Sequence, residues 1–128
     1  MKITRFEDLE IWQLARKLYQ LVFRLTSGEP FNHDFKFRDQ IRDSSGSVSD
    51  NIAEGFERGG NKEFIQFLSV AKGSNSETRN QSYRAFDSKY ITQEDLNELL
   101  ELTDLISRKI ANLIKTLKTS DHKGVKYD

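Results

Sequence analysis

Apolar residues recur at helical spacing in four stretches of the chain, separated by short polar or glycine-containing breaks. From about Asp8 to Thr26, Ile11, Ala15, Leu18, Val22 and Leu25 step by four and three residues, which predicts an amphipathic helix. Leu9, Trp12, Tyr19 and Phe23 flank this seam on one side, Leu14 and Leu21 on the other. The apolar arc therefore covers roughly 200°, about twice the stripe that a surface helix needs. One neighbouring face is too little to bury it. Two flanking helices or a second subunit must do so, and Trp12 is placed in that interface.

Ser27 to His33 is turn material, with Gly28 as a C-cap and Pro30 blocking continuation. Phe31, Phe35 and Phe37 are expected to fold back over the bundle end. Asp34 is the expected N-cap of a second helix running to about Phe56 or Arg58. Its stripe of Phe37, Ile41, Ser44, Ser45, Val48, Ile52 and Phe56 is thin, with serines at its centre. Because interiors pack to near-crystal density, so slight a stripe calls for close approach by its neighbours. It is read as the inner helix that the others wrap.

Gly59-Gly60 ends that helix, and Asn61 is the expected cap of a third, from about Lys62 to Lys89. The third helix opens with Phe64, Ile65, Phe67, Leu68, Val70 and Ala71. The same face then passes through Asn75, Thr78 and Ser82 before Ala85 and Phe86. A polar section is thus set into a core stripe, as a hydrogen-bonded crossing or as a small polar cavity. Thr92 to Asp95 resembles a capping box for the fourth helix. Leu96, Leu99, Leu100, Thr103, Ile106 and Ile110 open its apolar face, with carboxylates early and cations late, as the helix dipole favours. Periodicity stops near Lys118. The expected architecture is all-α, an antiparallel up-down-up-down four-helix bundle over residues 1–118 with a flexible tail over 119–128.

Composition narrows the function. Twenty basic and twenty acidic residues cancel, so any electrostatic partner must be met by a local patch. The absence of cysteine excludes disulfides and thiolate chemistry. Met1 to Asp8 is too charged for a signal peptide, and no apolar run approaches the ~20 residues of a membrane span. A soluble cytoplasmic protein, without membrane contact, is expected.

Candidate chemistry is sparse. His33 stands in a turn and His122 near the end of the chain. No spacing supplies a nucleophile elbow, a set of metal ligands, a Walker loop or a dinucleotide fingerprint. No enzyme, cofactor or metal is expected. Arg42 or Arg79 is read as pairing across helices with Glu54 or Glu77, a contact that would fix registry. Cations carry the functional expectation. Arg16, Lys17 and Arg24 form an anion-free strip on the first helix, whose balance from Leu9 to Thr26 is three cations against Glu10; Lys72, Arg79 and Arg84 lie on the third helix. The second helix carries the opposite balance, three cations to five carboxylates. Copies gathered in one assembly would multiply a modest basic patch and bind structured RNA or DNA through backbone phosphates. The competing reading is an oligomeric protein-interaction scaffold with no nucleic acid.

The order of motifs resembles a known family. Phe6-Glu7-Asp8-Leu9-Glu10-Ile11-Trp12, Asp39-Gln40-Ile41-Arg42, Asn51-Ile52-Ala53-Glu54-Gly55-Phe56-Glu57-Arg58, Glu63-Phe64-Ile65-Gln66-Phe67-Leu68 and Ala71-Lys72-Gly73-Ser74 with Glu77 are similar to the four-helix-bundle proteins encoded in 23S rRNA intervening sequences. The pair Ser44-Ser45, and Asn75, Thr78 and Ser82, depart from its usual alanines and apolar core. The resemblance implies a ring-forming homo-oligomer, a homopentamer, similar to the accessory proteins of diversity-generating retroelements, which bind nucleic acid and a reverse transcriptase. Trp12, Arg42, Asn51, Glu54 and Glu77 are taken as structural or interface residues.

Overall fold

Each periodic stretch becomes a helix in the computed structural model, which describes residues 2–120. Helix α1 spans Glu10–Ser27, α2 Phe35–Glu57, α3 Asn61–Asp87 and α4 Gln93–Thr119, with short 3-10 turns at Phe6–Asp8 and Phe31–His33. The expected tail falls largely on residues 121–128, outside those described. No helix among the described residues is long and apolar enough to cross a membrane.

Cross-helix contacts set the topology. Ser47 meets Ser74 and Phe56 meets Phe64, so numbers rise along α2 as they fall along α3. Asn75 and Arg79 of α3 reach Thr103 and Leu100 of α4. Glu10 pairs with Lys109, and Arg24 approaches Glu98. Arg42 of α2 reaches Thr26 near the end of α1. Every neighbouring pair is antiparallel. α1 and α3 each pack between α2 and α4, while the diagonal pairs barely touch. The small-residue helix α2 is therefore not wrapped by all the others. Its serines and glycines serve two neighbours, above all α3.

That approach is closest at Gly55, where a Cβ would stand 2.5 Å from Phe67 Cβ. A turn and more away, Ser47 Oγ accepts from Ser74 at 3.0 Å and from Asn51 Nδ2 at 2.9 Å. Ser44 Oγ lies 2.8 Å from Thr78 Oγ1 and 2.6 Å from Gln81 Oε1. On the α4 side, Asn75 Nδ2 donates to the Thr103 carbonyl at 2.7 Å. Arg79 Nη1 donates to the Leu100 carbonyl at 2.7 Å and to Thr103 Oγ1 at 3.1 Å. The polar section of α3 is thus a hydrogen-bonded crossing, as buried polar groups require. Asn75 Oδ1 alone in it has no partner.

Local signals held at most helix ends. Asp34 accepts from the Phe37 N–H, and Thr92 with Asp95 forms the full capping box. Asn61 does not cap α3. Gly60 is the N-cap, and Asn61 is the first helical residue, buried with both side-chain polar atoms unpaired. The Glu63 carboxylate turns back toward Gly60 instead, where the helix dipole favours an anion. At the other end, Phe31 and Phe37 are buried in a stack with Tyr90, but Phe35 is 62% exposed and lies outside that plug. Tyr90 donates to Asp34 Oδ2 at 2.8 Å, and that carboxylate raises the phenol's pKa.

The wide apolar arc of α1 is covered mostly by its own chain. Ile11, Ala15, Leu18, Leu21 and Val22 are buried, and Phe6 from the preceding turn packs on Trp12 at 5.4 Å. Phe23 stays 47% exposed beneath the Arg42 guanidinium. The turn before α1, absent from the helix-only reading, supplies the missing cover.

Two glycines in helix interiors should respond oppositely. Gly55→Ala forces α2 off Phe67 and should destabilise the fold by about 1–3 kcal/mol. Gly73 has open space around it, so Gly73→Ala should stabilise by about 0.5–1 kcal/mol through helix propensity. Urea unfolding of both variants checks the pair. Lys89 closes α3 at φ 64°, with Tyr90 N–H donating to the Ala85 carbonyl and Lys89 N–H to that of Phe86. This is a Schellman cap in which glycine is preferred. Lys89→Gly should raise stability by about 0.5–1 kcal/mol in the same assay.

Candidate functional site

The cations singled out in the sequence do not converge. Lys17 and Arg24 are exposed on the side of α1 that faces α4. Arg16 is exposed and rests 5.9 Å from the Trp12 ring centroid. Lys72 is half-buried on α3, one turn from Asn75 on the α4-facing side. Arg79 is committed to α4 through its two hydrogen bonds, so its guanidinium serves packing. Arg84 lies on the opposite face of the bundle from Lys17, stacked 4.3 Å from the Phe37 ring centroid and donating to Gln40 Oε1. Three sides of the molecule share these six residues. The strip on α1 is also not free of carboxylates in three dimensions, because Glu98 and Glu101 of α4 face it across a groove.

The expected cross-helix ion pair is absent. Arg42 donates to Thr26 Oγ1 at 2.8 Å and to Ser27 Oγ at 3.3 Å, and lies over Phe23. Glu54 pairs with Arg58 one turn later at 2.9 Å. Glu77 accepts weakly from Gln81 at 3.5 Å. Arg42 is directed to α1 and Arg79 to α4, so neither guanidinium reaches the Glu54 or Glu77 carboxylate assumed for it. Neutral hydroxyls and a carbonyl meet Arg42 and Arg79 instead, sparing the desolvation that a buried charge pair entails. Asn51, half-buried, donates to the Ser47 carbonyl and hydroxyl.

Two of the grooves lie on opposite faces. Between α1 and α4 lies an open groove of about 490 Å³, floored by Leu21, Leu102 and Leu105 and walled by Lys17 and Arg24 against Glu98 and Glu101. Between α2 and α3 lies a polar groove of about 420 Å³, with Asp43, Ser47, Ser74, Glu77 and Arg84 on its walls. Among the described residues no three His, Cys, Asp or Glu side chains gather to hold a metal ion. His33, in a turn as expected, pairs with Glu29 at 3.0 Å. The Arg5 guanidinium holds the exposed Asp8 carboxyl below its usual range, at the start of the chain and away from both grooves. The geometry offers surfaces for docking. Sequence spacing gave the charges on each helix, but the wall that α4 raises against α1 needs the tertiary pairing to be seen.

No curated protein matches the chain. Its fold is similar to a crystal structure, at 1.70 Å resolution, of a Bacteroides thetaiotaomicron protein of unknown function from the S23 ribosomal protein family. The TM-score is 0.75 at 20% identity, over 82% of this chain and 98% of that one. At that identity the likeness shows the fold alone. The family model for the 23S rRNA-intervening sequence protein matches residues 7–112. With that match spanning all of α1, α2 and α3 and most of α4, the chain belongs to the 23S rRNA-intervening sequence protein family.

Proposed function

We propose that this chain is a non-catalytic scaffold that works by self-assembly, copies of the bundle presenting a shared surface to a macromolecular partner. The observation that carries this is the α1/α4 groove, an apolar floor between a basic and an acidic wall. Such a surface matches the apolar centre and polar rim of protein interfaces. Ring closure, with five copies as the family resemblance implies, is the form of assembly this reading favours.

Nucleic-acid binding is the second reading. Arg16, Lys17 and Lys72 make no ion pair among the described residues, and the structural neighbour's family name refers to the ribosome. Against it, the cations are scattered and the net charge is zero. Counterion release grows with the number of phosphates met together.

Light scattering across a concentration series should give a mass several times the 14.9 kDa of one chain. A structured RNA should migrate unchanged with the protein at about 0.15 M salt. A stable monomer would overturn the scaffold. A gel shift at low salt that collapses between 50 and 200 mM salt, as multiple phosphate contacts dictate, would favour the second reading.

A further inference from the structure

Trp12, Tyr19 and Phe23 form a second apolar row beside the seam of α1, and the bundle uses only part of it. Ile11, Ala15, Leu18 and Val22 of the seam are buried. Trp12 and Tyr19 stay half-buried, and Phe23 stays exposed. The row turns outward along the edge that α1 shares with α2. Gly46 lies against the Tyr19 ring, where a Cβ would stand 3.6 Å from Cδ1, and Arg42 rests on Phe23. One heptad further, in opposite directions along the antiparallel pair, Trp12 comes level with Ala53. From Trp12 to Phe23 the row is about 17 Å long.

What faces the row from α2 is small. Gly46, Ser49 and Ala53 bring no bulk over the rings, and a notch of about 350 Å³ opens beside Tyr19. Asp43 and Asp50 stand at its rim, both exposed and without an ion pair among the described residues. Two cations border the slot as well. Arg42 lies 4.3 Å from the Phe23 centroid and gives its N–H groups to Thr26 and Ser27. Arg16 lies 5.9 Å from the Trp12 centroid. Each guanidinium extends the aromatic surface and leaves the two carboxylates unanswered. The slot is aromatic along its α1 side and negative along its α2 rim.

We propose that this slot seats one amphipathic helix of a partner protein, its apolar stripe on Tyr19 and Phe23 and a lysine- or arginine-bearing flank toward Asp43 and Asp50. This rests on the scaffold reading above for the existence of a partner, gives that partner a chemistry, and leaves the α1/α4 groove free. The furrow between two packed helices is a ready seat for a third, and an amphipathic helix reads such a furrow through anchors at i, i+3, i+4 and i+7. The rim decides the flank. A cation beside Asp43 and Asp50 is drawn in, whereas an acidic flank is repelled.

Trp12 is the only tryptophan in the chain, so the slot carries its own reporter. The probe is a tryptophan-free peptide of leucine and lysine with one apolar face, about 14 residues long and ~21 Å as a helix. Its titration should shift Trp12 emission to the blue and saturate. A peptide of the same pattern with glutamate for lysine should leave the emission unchanged. Asp43→Lys with Asp50→Lys should weaken binding of the lysine peptide by about tenfold, as reversal of rim charges dictates. Gly46→Leu fills the slot over Tyr19 and should weaken it as much without touching a charge. Circular dichroism confirms that each variant folds, and light scattering should give each the wild-type mass. Equal binding of the two peptides, or a charge variant that binds as the wild type does, overturns the slot. A mass that changes in the charge variant makes the occupant a second copy of this chain and overturns the partner helix. A wild-type chain that is monomeric yet binds the lysine peptide overturns self-assembly and leaves the slot standing; one that assembles and ignores the peptide does the reverse.

Discussion

The close approach of α2 to α3 is the constraint on which the rest of the fold depends. Gly55 has no room for a β-carbon against Phe67, and the next turns meet through serine and threonine hydroxyls rather than through bulky side chains. Two helix backbones held this near leave little space for large side chains between them. The larger residues therefore lie toward the bundle interior: Ile41, Val48 and Ile52 from α2, Phe64 and Leu68 from α3. α1 and α4 complete the bundle from the other side, and their mutual seam is the loosest of the four. The open groove lies along that seam. A tight pair thus lies opposite a loose one, with a polar groove along the first and an apolar-floored groove along the second.

The polar crossing answers a problem that hydroxyl-rich helices create. Asn75, Thr78, Gln81 and Ser82 occupy buried positions on α3, where an unpaired polar group costs about 1–3 kcal/mol. Most of them find partners on α2, on α4 or one turn back on their own helix. Such partners are specific in height, because a carbonyl or hydroxyl is met at one position along the neighbour and not at the next. A purely apolar stripe would tolerate sliding. The crossing thus fixes the relative height of three helices, and with it the levels of every charge on the outer walls.

Much of this was legible in the sequence, for physical reasons that differ by feature. The helices were, since 3.6-residue periodicity and the Asp34 and Thr92 caps are local. The Asn61 cap was not, because the chain enters the helix one residue earlier: Gly60 takes the N-cap position without a side-chain hydrogen bond, and Asn61 is drawn into the first turn and buried. Phe35 and Phe37 look alike in one dimension, but they lie on different sides of the first turn of α2, and one faces water. The excess apolar arc of α1 was read correctly as too wide for one neighbour. Its two flanking helices, α2 and α4, cover it as one of the two readings had it, and the turn holding Phe6, which has no periodic signal, adds cover over Trp12. Charge per helix was countable, whereas the meeting of Lys17 and Arg24 with Glu98 and Glu101 depends on which helices become neighbours.

The bond from Tyr90 to Asp34 joins the segment between α3 and α4 to the first turn of α2. The ring of Tyr90 also stacks on Phe31, from the segment between α1 and α2. Both connectors at this end of the molecule are therefore clasped together, one by its phenol and the other by its aromatic ring and carboxylate. Neither hairpin can peel away without breaking the clasp. Thermal opening at this end is accordingly a single shared event for α1–α2 and α3–α4, not two independent ones.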